Sequence, residues 1–335
     1  MRRSRLINYL GVGLLLLLSL SFYGCKEVNQ LSLRPKEGAA YTQKVHLISD
    51  LKMPPFPGAD YHNSEMVLKY EVIKVDEEGS ATIRVTIDSI KASMKSLTVS
   101  ASFDSSQHNS ETAAGGTRDI KQRFRQCFAG LKGAGYTAVL DQKGRVVKVF
   151  DMDQRVERIS TGPILDETAG GYQAAHLLSP SHLREYVALG MYSAWLEAKP
   201  QPDQKWISYE PVETPRAVPV MAQKTFKLEN IKKEKNNHLA VVSFKTSGAL
   251  DRPLPEYARL TGNRARGEVE IKSIPAGEGE ITFSLNRGHL VKLQEKLTAE
   301  VIFPGVEPPP TTSTTNRPQR KVYYVVDKTI EYLDK

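Results

Sequence analysis

From Ala81 to Asp88 the chain alternates without a break, Ala81, Ile83, Val85 and Ile87 apolar against Thr82, Arg84, Thr86 and Asp88 polar. A period of two puts the sets on opposite faces of a pleated strand, one face buried and the other wet. Such a strand needs a partner, and Glu78-Gly79 separates it from a second β-prone run, Met66 to Asp76. Glycine accepts the positive φ of a tight turn, so the two runs form a hairpin. Further strands are expected near residues 41–51, 97–104, 118–128, 135–141 and 144–150, with a turn at Gln142-Lys143-Gly144, then one ending near Phe303 and a last one from Lys321 to Tyr332. With 335 residues, 40% hydrophobic and 25% charged, the chain has room for two ordinary domains and cannot be disordered throughout.

Between these β-rich stretches the pattern changes. Leu183, Val187, Met191, Ala194, Trp195 and Ala198 recur at helical spacing, with Tyr186 and Leu189 widening the stripe. Ser179 can cap this amphipathic helix with Pro180 in its first turn, and Pro200 stands beyond its end. The second β-rich stretch aligns with the first. Residues 136–149 match 281–293 once one turn residue is skipped, with Gly144 against Gly288, and an ungapped register pairs Tyr70/Phe226, Val72/Leu228, Ile83/Leu239 and Val85/Val241. Two matches in the same order point to an internal duplication. A Pro/Thr-rich insertion, residues 304–318, reads as a mobile loop in the second unit.

The first 25 residues fix the compartment. Arg2, Arg3 and Arg5 precede an uncharged apolar run from Tyr9 to Phe22, and Gly24-Cys25 closes it, which is an export signal too short to span a bilayer comfortably. It resembles the signal of bacterial lipoproteins. That resemblance implies cleavage after Gly24 and acylation of Cys25 by a thioether-linked diacylglycerol and an N-acyl chain such as palmitate, together a stable anchor. Lys26-Glu27 lacks the aspartate associated with inner-membrane retention in enteric bacteria, so the outer membrane is favoured over the inner if the host is Gram-negative. Removing the three arginines lowers the formal charge from +8 to +5. This excess is too diffuse for a nucleic-acid partner, though it suits anionic lipid or an anionic envelope polymer.

The aromatic residue after a turn that opens each half (Gly38 to Tyr41, Asp203 to Trp206), the 75–83 hairpin, Ser102-Phe103-Asp104-Ser105 and the hairpins at 135–149 and 279–293 together resemble a family of uncharacterised exported bacterial lipoproteins with a duplicated β-rich domain. The resemblance implies architecture and supplies no activity. The expected fold is α+β, predominantly antiparallel β: a signal peptide (1–24), a lipidated tether (25–38), a first half-barrel-like unit (39–150), a helical connector (151–201) and a second unit (202–335).

The chain contains no nucleophile elbow, zinc helix, phosphate loop or dinucleotide fingerprint. No catalytic residue, metal ligand or cofactor is therefore assigned. Cys127 reads as a small buried hydrophobe, and Asp151-Met152-Asp153 as a charged turn. His182 and Glu185, at i and i+3, read as a solvated first-turn pair. Lys121, Arg123 and Arg125 line one face of the strand expected at 118–128, with Ile120, Phe124 and Phe128 on the other. That basic ladder is a candidate patch for an anionic ligand; the alternative is a solvated face whose cations discourage edge pairing. The expected function is a non-catalytic binding or scaffolding module at the envelope. A carrier holding a lipid or other apolar ligand in a β-sheet cup is the alternative, and an envelope hydrolase ranks below both.

Overall fold

A computed structural model describes residues 35–52, 59–96, 98–107, 119–142, 144–161, 169–188, 203–212, 220–234, 237–250, 272–287, 289–303 and 320–333. Cys25, most of the tether, the second half of the expected helix (Leu189 to Ala198) and the 304–318 insertion lie outside them.

The protein is predominantly antiparallel β. Its strands are β1 (Ala40–Lys52), β2 (Ala59–Val75), β3 (Ala81–Lys95), β4 (Ser100–Asp104), β5 (Gly135–Leu140), β6 (Val146–Phe150), β7 (Lys205–Val212), β8 (Val220–Glu234), β9 (Asn237–Leu250), β10 (Lys272–Ser284), β11 (His289–Phe303) and β12 (Arg320–Leu333). The helices are α1 (Ile120–Phe128), α2 (Gln154–Thr161), α3 (Ala169–Leu177) and α4 (Pro180–Ala188). All twelve strands form one sheet in the order β6-β5-β3-β2-β1-β12-β11-β10-β9-β8-β7, with β4 beside β3. The two halves therefore meet in a shared ladder. β1 pairs with β12 from Thr42↔Leu333 to Lys52↔Tyr323, so the first and last strands of the described residues lie at the centre of the sheet.

The alternation in β3 is realised as expected. Ala81, Ile83, Val85 and Ile87 are all buried, and Arg84 on the other face reaches Asp151. Ser80 N–H donates to Asp76 Oδ1 at 2.7 Å and Gly79 adopts a φ of 88°, which closes the β2–β3 hairpin. Val85→Asp will therefore lower stability by several kcal/mol, because it strands a charge on the buried face, whereas Arg84→Asp loses only a partly exposed ion pair worth about 1 kcal/mol or less. Equal melting temperatures for the two variants would mean that the faces are misassigned.

Helices α3 and α4 pack on the buried face of the first half's strands, with α1 against β4 and α2 against α3. Tyr70 Oη donates to the main-chain oxygen of Tyr186 at 3.1 Å, Tyr136 Oη to that of Leu183 at 2.8 Å, and Tyr186 Oη to that of Leu177 at 2.9 Å. Gln173 of α3 donates to Ser64 Oγ at 2.7 Å and to the Asn63 main-chain oxygen at 3.1 Å. Each bulky ring brings its own hydrogen bond, so the polar atoms it carries inside are satisfied. The start of α4 follows the sequence reading: Ser179 Oγ accepts from His182 N–H, and Pro180 occupies the first turn.

The segment expected as a strand at 118–128 is instead helix α1. Its apolar residues Ile120, Phe124 and Phe128 are four apart, a spacing that fits a strand face and a helix face equally. Cys127 adds the i+3 position, and Asp119 Oδ1 accepts from Lys121 N–H as an N-cap. Phe124, Cys127 and Phe128 are buried.

The openings of the two halves recur in detail. Gly38 (φ 75°) donates to the Val72 oxygen, and Val72 donates back to Ala39; Asp203 (φ 64°) donates to the Leu228 oxygen, and Leu228 donates back to Gln204. In each half an aromatic residue three positions on then stacks on its cross-strand neighbour, Tyr41 on Tyr70 at 4.7 Å and Trp206 on Phe226 at 5.6 Å. The bulges at Val72/Lys74 and Leu228/Asn230 also correspond. One part of the expected register is corrected. Val72 pairs with Ile83 and Leu228 with Val242, so Ile83 and Val85 correspond to Val242 and Phe244, not to Leu239 and Val241. The second hairpin is three residues longer, and an odd shift moves Leu239 and Val241 to the opposite face.

Candidate functional site

Three strands of the second half carry one charge each on an otherwise apolar inner face. Lys224 lies between Ala222 and Phe226 on β8, Glu295 between Leu293 and Leu297 on β11, and Lys328 between Val326 and Ile330 on β12. Lys224 Nζ reaches Glu295 Oε1 at 2.8 Å, Glu295 Oε2 meets Lys328 Nζ at 2.7 Å, and Lys328 Nζ contacts both Glu185 oxygens on α4 at 2.7 and 2.9 Å. All four side chains are 11% exposed or less. Burial alone would raise the Glu295 carboxyl, but the flanking Lys224 and Lys328 ammonium groups overcome it and hold the group well below the usual carboxylate range. The same opposition lowers Glu185 and raises Lys328.

Strands β8 and β11 are separated by β9 and β10, about 14 Å across a flat sheet. The ion pair closes because β10 is bare on its inner face. Gly277 and Gly279 fill those positions, and a Cβ on Gly279 would overlap the Phe244 ring and the Gln294 main-chain oxygen. The sheet curls over this gap, the Phe244 ring fills it, and Lys224 Nζ sits 4.9 Å from the ring centre.

A second feature lies where β1 meets β12. A groove of about 480 Å³ is lined by Tyr41, Tyr70, Tyr332 and Leu333 and by Lys69, Glu71, Arg84, Thr42 and Thr86. Arg84 Nη1 donates to Thr137 Oγ1 at 3.1 Å, to the Asp151 main-chain oxygen at 3.0 Å and to Asp151 Oδ2 at 2.7 Å. Lys69 pairs with Asp88.

The residues singled out in the sequence fall elsewhere. Cys25 is outside the described residues. Lys121 and Arg125 share one exposed face of α1, while Arg123, about 200° round the helix from Lys121, is half-buried, so the three do not form the expected ladder. The basic patch reduces to Lys121 and Arg125. His182 and Glu185 are not solvated either: His182 is buried, its ring 4.8 Å from that of His176 and 5.8 Å from that of Tyr186, and Glu185 closes the charge chain. Cys127 is a buried thiol. Among the described residues no three His, Cys, Asp or Glu side chains converge on a metal position, and no helix is long and apolar enough to cross a membrane.

No protein-family model and no curated protein matches this chain. Among solved structures, one described as "Lipid-protein interactions in lipovitellin" is similar at 11% identity and a TM-score of 0.47, over 89% of this chain and 25% of that one. The chain thus spans about a quarter of the length of that lipovitellin chain.

Proposed function

We propose that the mature protein is a non-catalytic binding or scaffolding module of the bacterial cell envelope, tethered by lipid on Cys25. The observation that carries this reading is a buried sheet face already occupied. Tyrosines of β2 and β5 bond to helix carbonyls there, and the chain from Lys224 to Glu185 ties β8, β11 and β12 to α4. A sheet braced on its buried face offers its other face and its loops to partners. The groove at the β1–β12 seam and the exposed Lys121 and Arg125 are the places for an anionic lipid headgroup or envelope polymer.

One observation favours the second reading, a carrier of a lipid or other apolar ligand. The inner face of the second half is apolar on successive strands, through Phe226, Leu228, Val242, Phe244, Ile281, Phe283, Leu293 and Ile330. Cells given labelled fatty acid are expected to label the wild-type chain and not Cys25→Ala; label persisting on the variant refutes the anchor. Native mass spectrometry of the Cys25→Ala protein decides between the readings. An empty chain supports the module, and lipid retained at one to one puts the carrier first. Ester, glycan or peptide hydrolysis that is lost on changing a single histidine would overturn the non-catalytic reading.

A further inference from the structure

The geometry points to a phosphate-binding site in the groove over the ends of β12, β1, β2 and β3, with Arg84 of β3 as its anchor. The clue is Asp151. It is a non-glycine residue at a φ of 49°, in the left-handed region that costs about 1 kcal/mol or more for a residue with a Cβ. In that conformation its main-chain oxygen and its carboxylate both accept from Arg84 Nη1, and Thr137 Oγ1 supplies a third acceptor to the same nitrogen. These three acceptors hold the guanidinium in place through one nitrogen. Among the described residues nothing engages Nε or Nη2, which together form the planar fork that grips two oxygens of a phosphate side by side.

The rest of the lining suits the same ligand. Lys69 is a second cation, and the Thr42 and Thr86 hydroxyls can donate to oxygens that the fork leaves free. Lys69 is held by Asp88 and Arg84 by Asp151, so the planar fork, and not a net positive charge, selects a phosphate. Glu71, the only carboxylate in the lining, stands directly opposite Arg84 in the β2–β3 ladder and repels an anion there. Leu333, opposite Thr42 in the β1–β12 ladder, gives the groove an apolar edge, and a volume of about 480 Å³ fits a phospholipid headgroup or a small phosphate monoester. The site deepens the module reading but needs no lipid on Cys25, so it is tested on the chain that lacks one.

The Cys25→Ala protein is titrated with inorganic phosphate by calorimetry, and with vesicles of phosphatidylglycerol in phosphatidylcholine by co-sedimentation. Binding in the first arm assigns the site to free phosphates, and binding in the second alone assigns it to headgroups. In either arm Arg84→Lys, which keeps the charge and loses the fork, is expected to weaken binding about tenfold or more. Glu71→Gln should strengthen it, and Lys245→Gln, an exposed residue on β9, should leave it unchanged. Absence of binding in both arms overturns the proposal, and so does equal affinity of wild type and Arg84→Lys. If Arg84→Lys fails to fold, Glu71→Gln decides: an unchanged or lower affinity sinks the site.

Discussion

Lys328→Met will cost the fold about 3–5 kcal/mol, the range expected when one partner of a buried ion chain is removed and its neighbours keep their charge. Lys328 is the middle of the chain. It contacts Glu185 on one side and Glu295 on the other, so its loss takes from Glu185 the ammonium that both its oxygens contact and leaves Glu295 its bond to Lys224. Lys245→Met, on an exposed position of β9, should stay within about 0.5 kcal/mol of wild type. Replacing Lys224, Glu295, Lys328 and Glu185 together by apolar residues of similar volume should recover most of the loss, because four desolvated charges contribute little net stability even when well paired. If the fourfold variant is as unstable as Lys328→Met, the chain holds the fold together; if it recovers, the chain serves to select one curl of the sheet.

The pH dependence carries the same test with its sign fixed. Glu295 and Glu185 have folded pKa values below their ordinary 4.5, so their contribution is present above that value and is lost as pH falls through the folded one. Lys328 is raised above 10.5, so its contribution is present below that value and is lost as pH rises through the folded one. Wild type should hold a plateau between these limits and lose stability in acid. In Lys328→Met both buried carboxylates lose the Lys328 ammonium and only Glu295 keeps Lys224, so protonating them relieves the defect. The gap in melting temperature between the two proteins should therefore narrow below about pH 4.5. A gap that stays constant from pH 7 to pH 3 would mean that the defect is one of packing.

Much of this fold is legible in the sequence. Strict alternation with a Gly turn is a local signal, and it gave β2, β3 and their hairpin with the correct faces. Ser179-Pro180 likewise marks the start of α4. The misreading at 118–128 has a definite cause. Residues four apart satisfy both periods, and only the cap at Asp119 with Cys127 at i+3 separates them. The charge chain is half legible. One charge amid apolar neighbours, as in Ala222-Lys224-Phe226, Leu293-Glu295-Leu297 and Val326-Lys328-Ile330, marks each strand for a buried ion. Which ions meet depends on sheet order and curl, set by contacts between residues far apart in the chain. The β1–β12 seam is of that kind too, and so is the groove upon it, where Arg84 and Asp151 are brought together from positions 67 residues apart.

Gly279→Val should be the most damaging single change on β10, at about 3 kcal/mol, although valine is the better strand former. The inner face of β10 is bare where the sheet bends most, and the Phe244 ring from β9 occupies the room that a side chain would take. A Cβ there meets the ring on one side and the Gln294 main-chain oxygen on the other. The ring can move, but the oxygen belongs to the β10–β11 ladder and cannot. Phe244→Ala added to Gly279→Val should therefore restore only part of the loss. Glu278→Val, one residue away on the exposed face, is expected within about 0.5 kcal/mol of wild type. Thermal melts of the three proteins separate the possibilities: similar melting temperatures for Gly279→Val and Glu278→Val would show that the curl does not depend on the missing Cβ. If Gly279→Val is unstable, the same absent atom lets Lys224 reach Glu295, so the variant should also lose the acid dependence that the ion chain imposes.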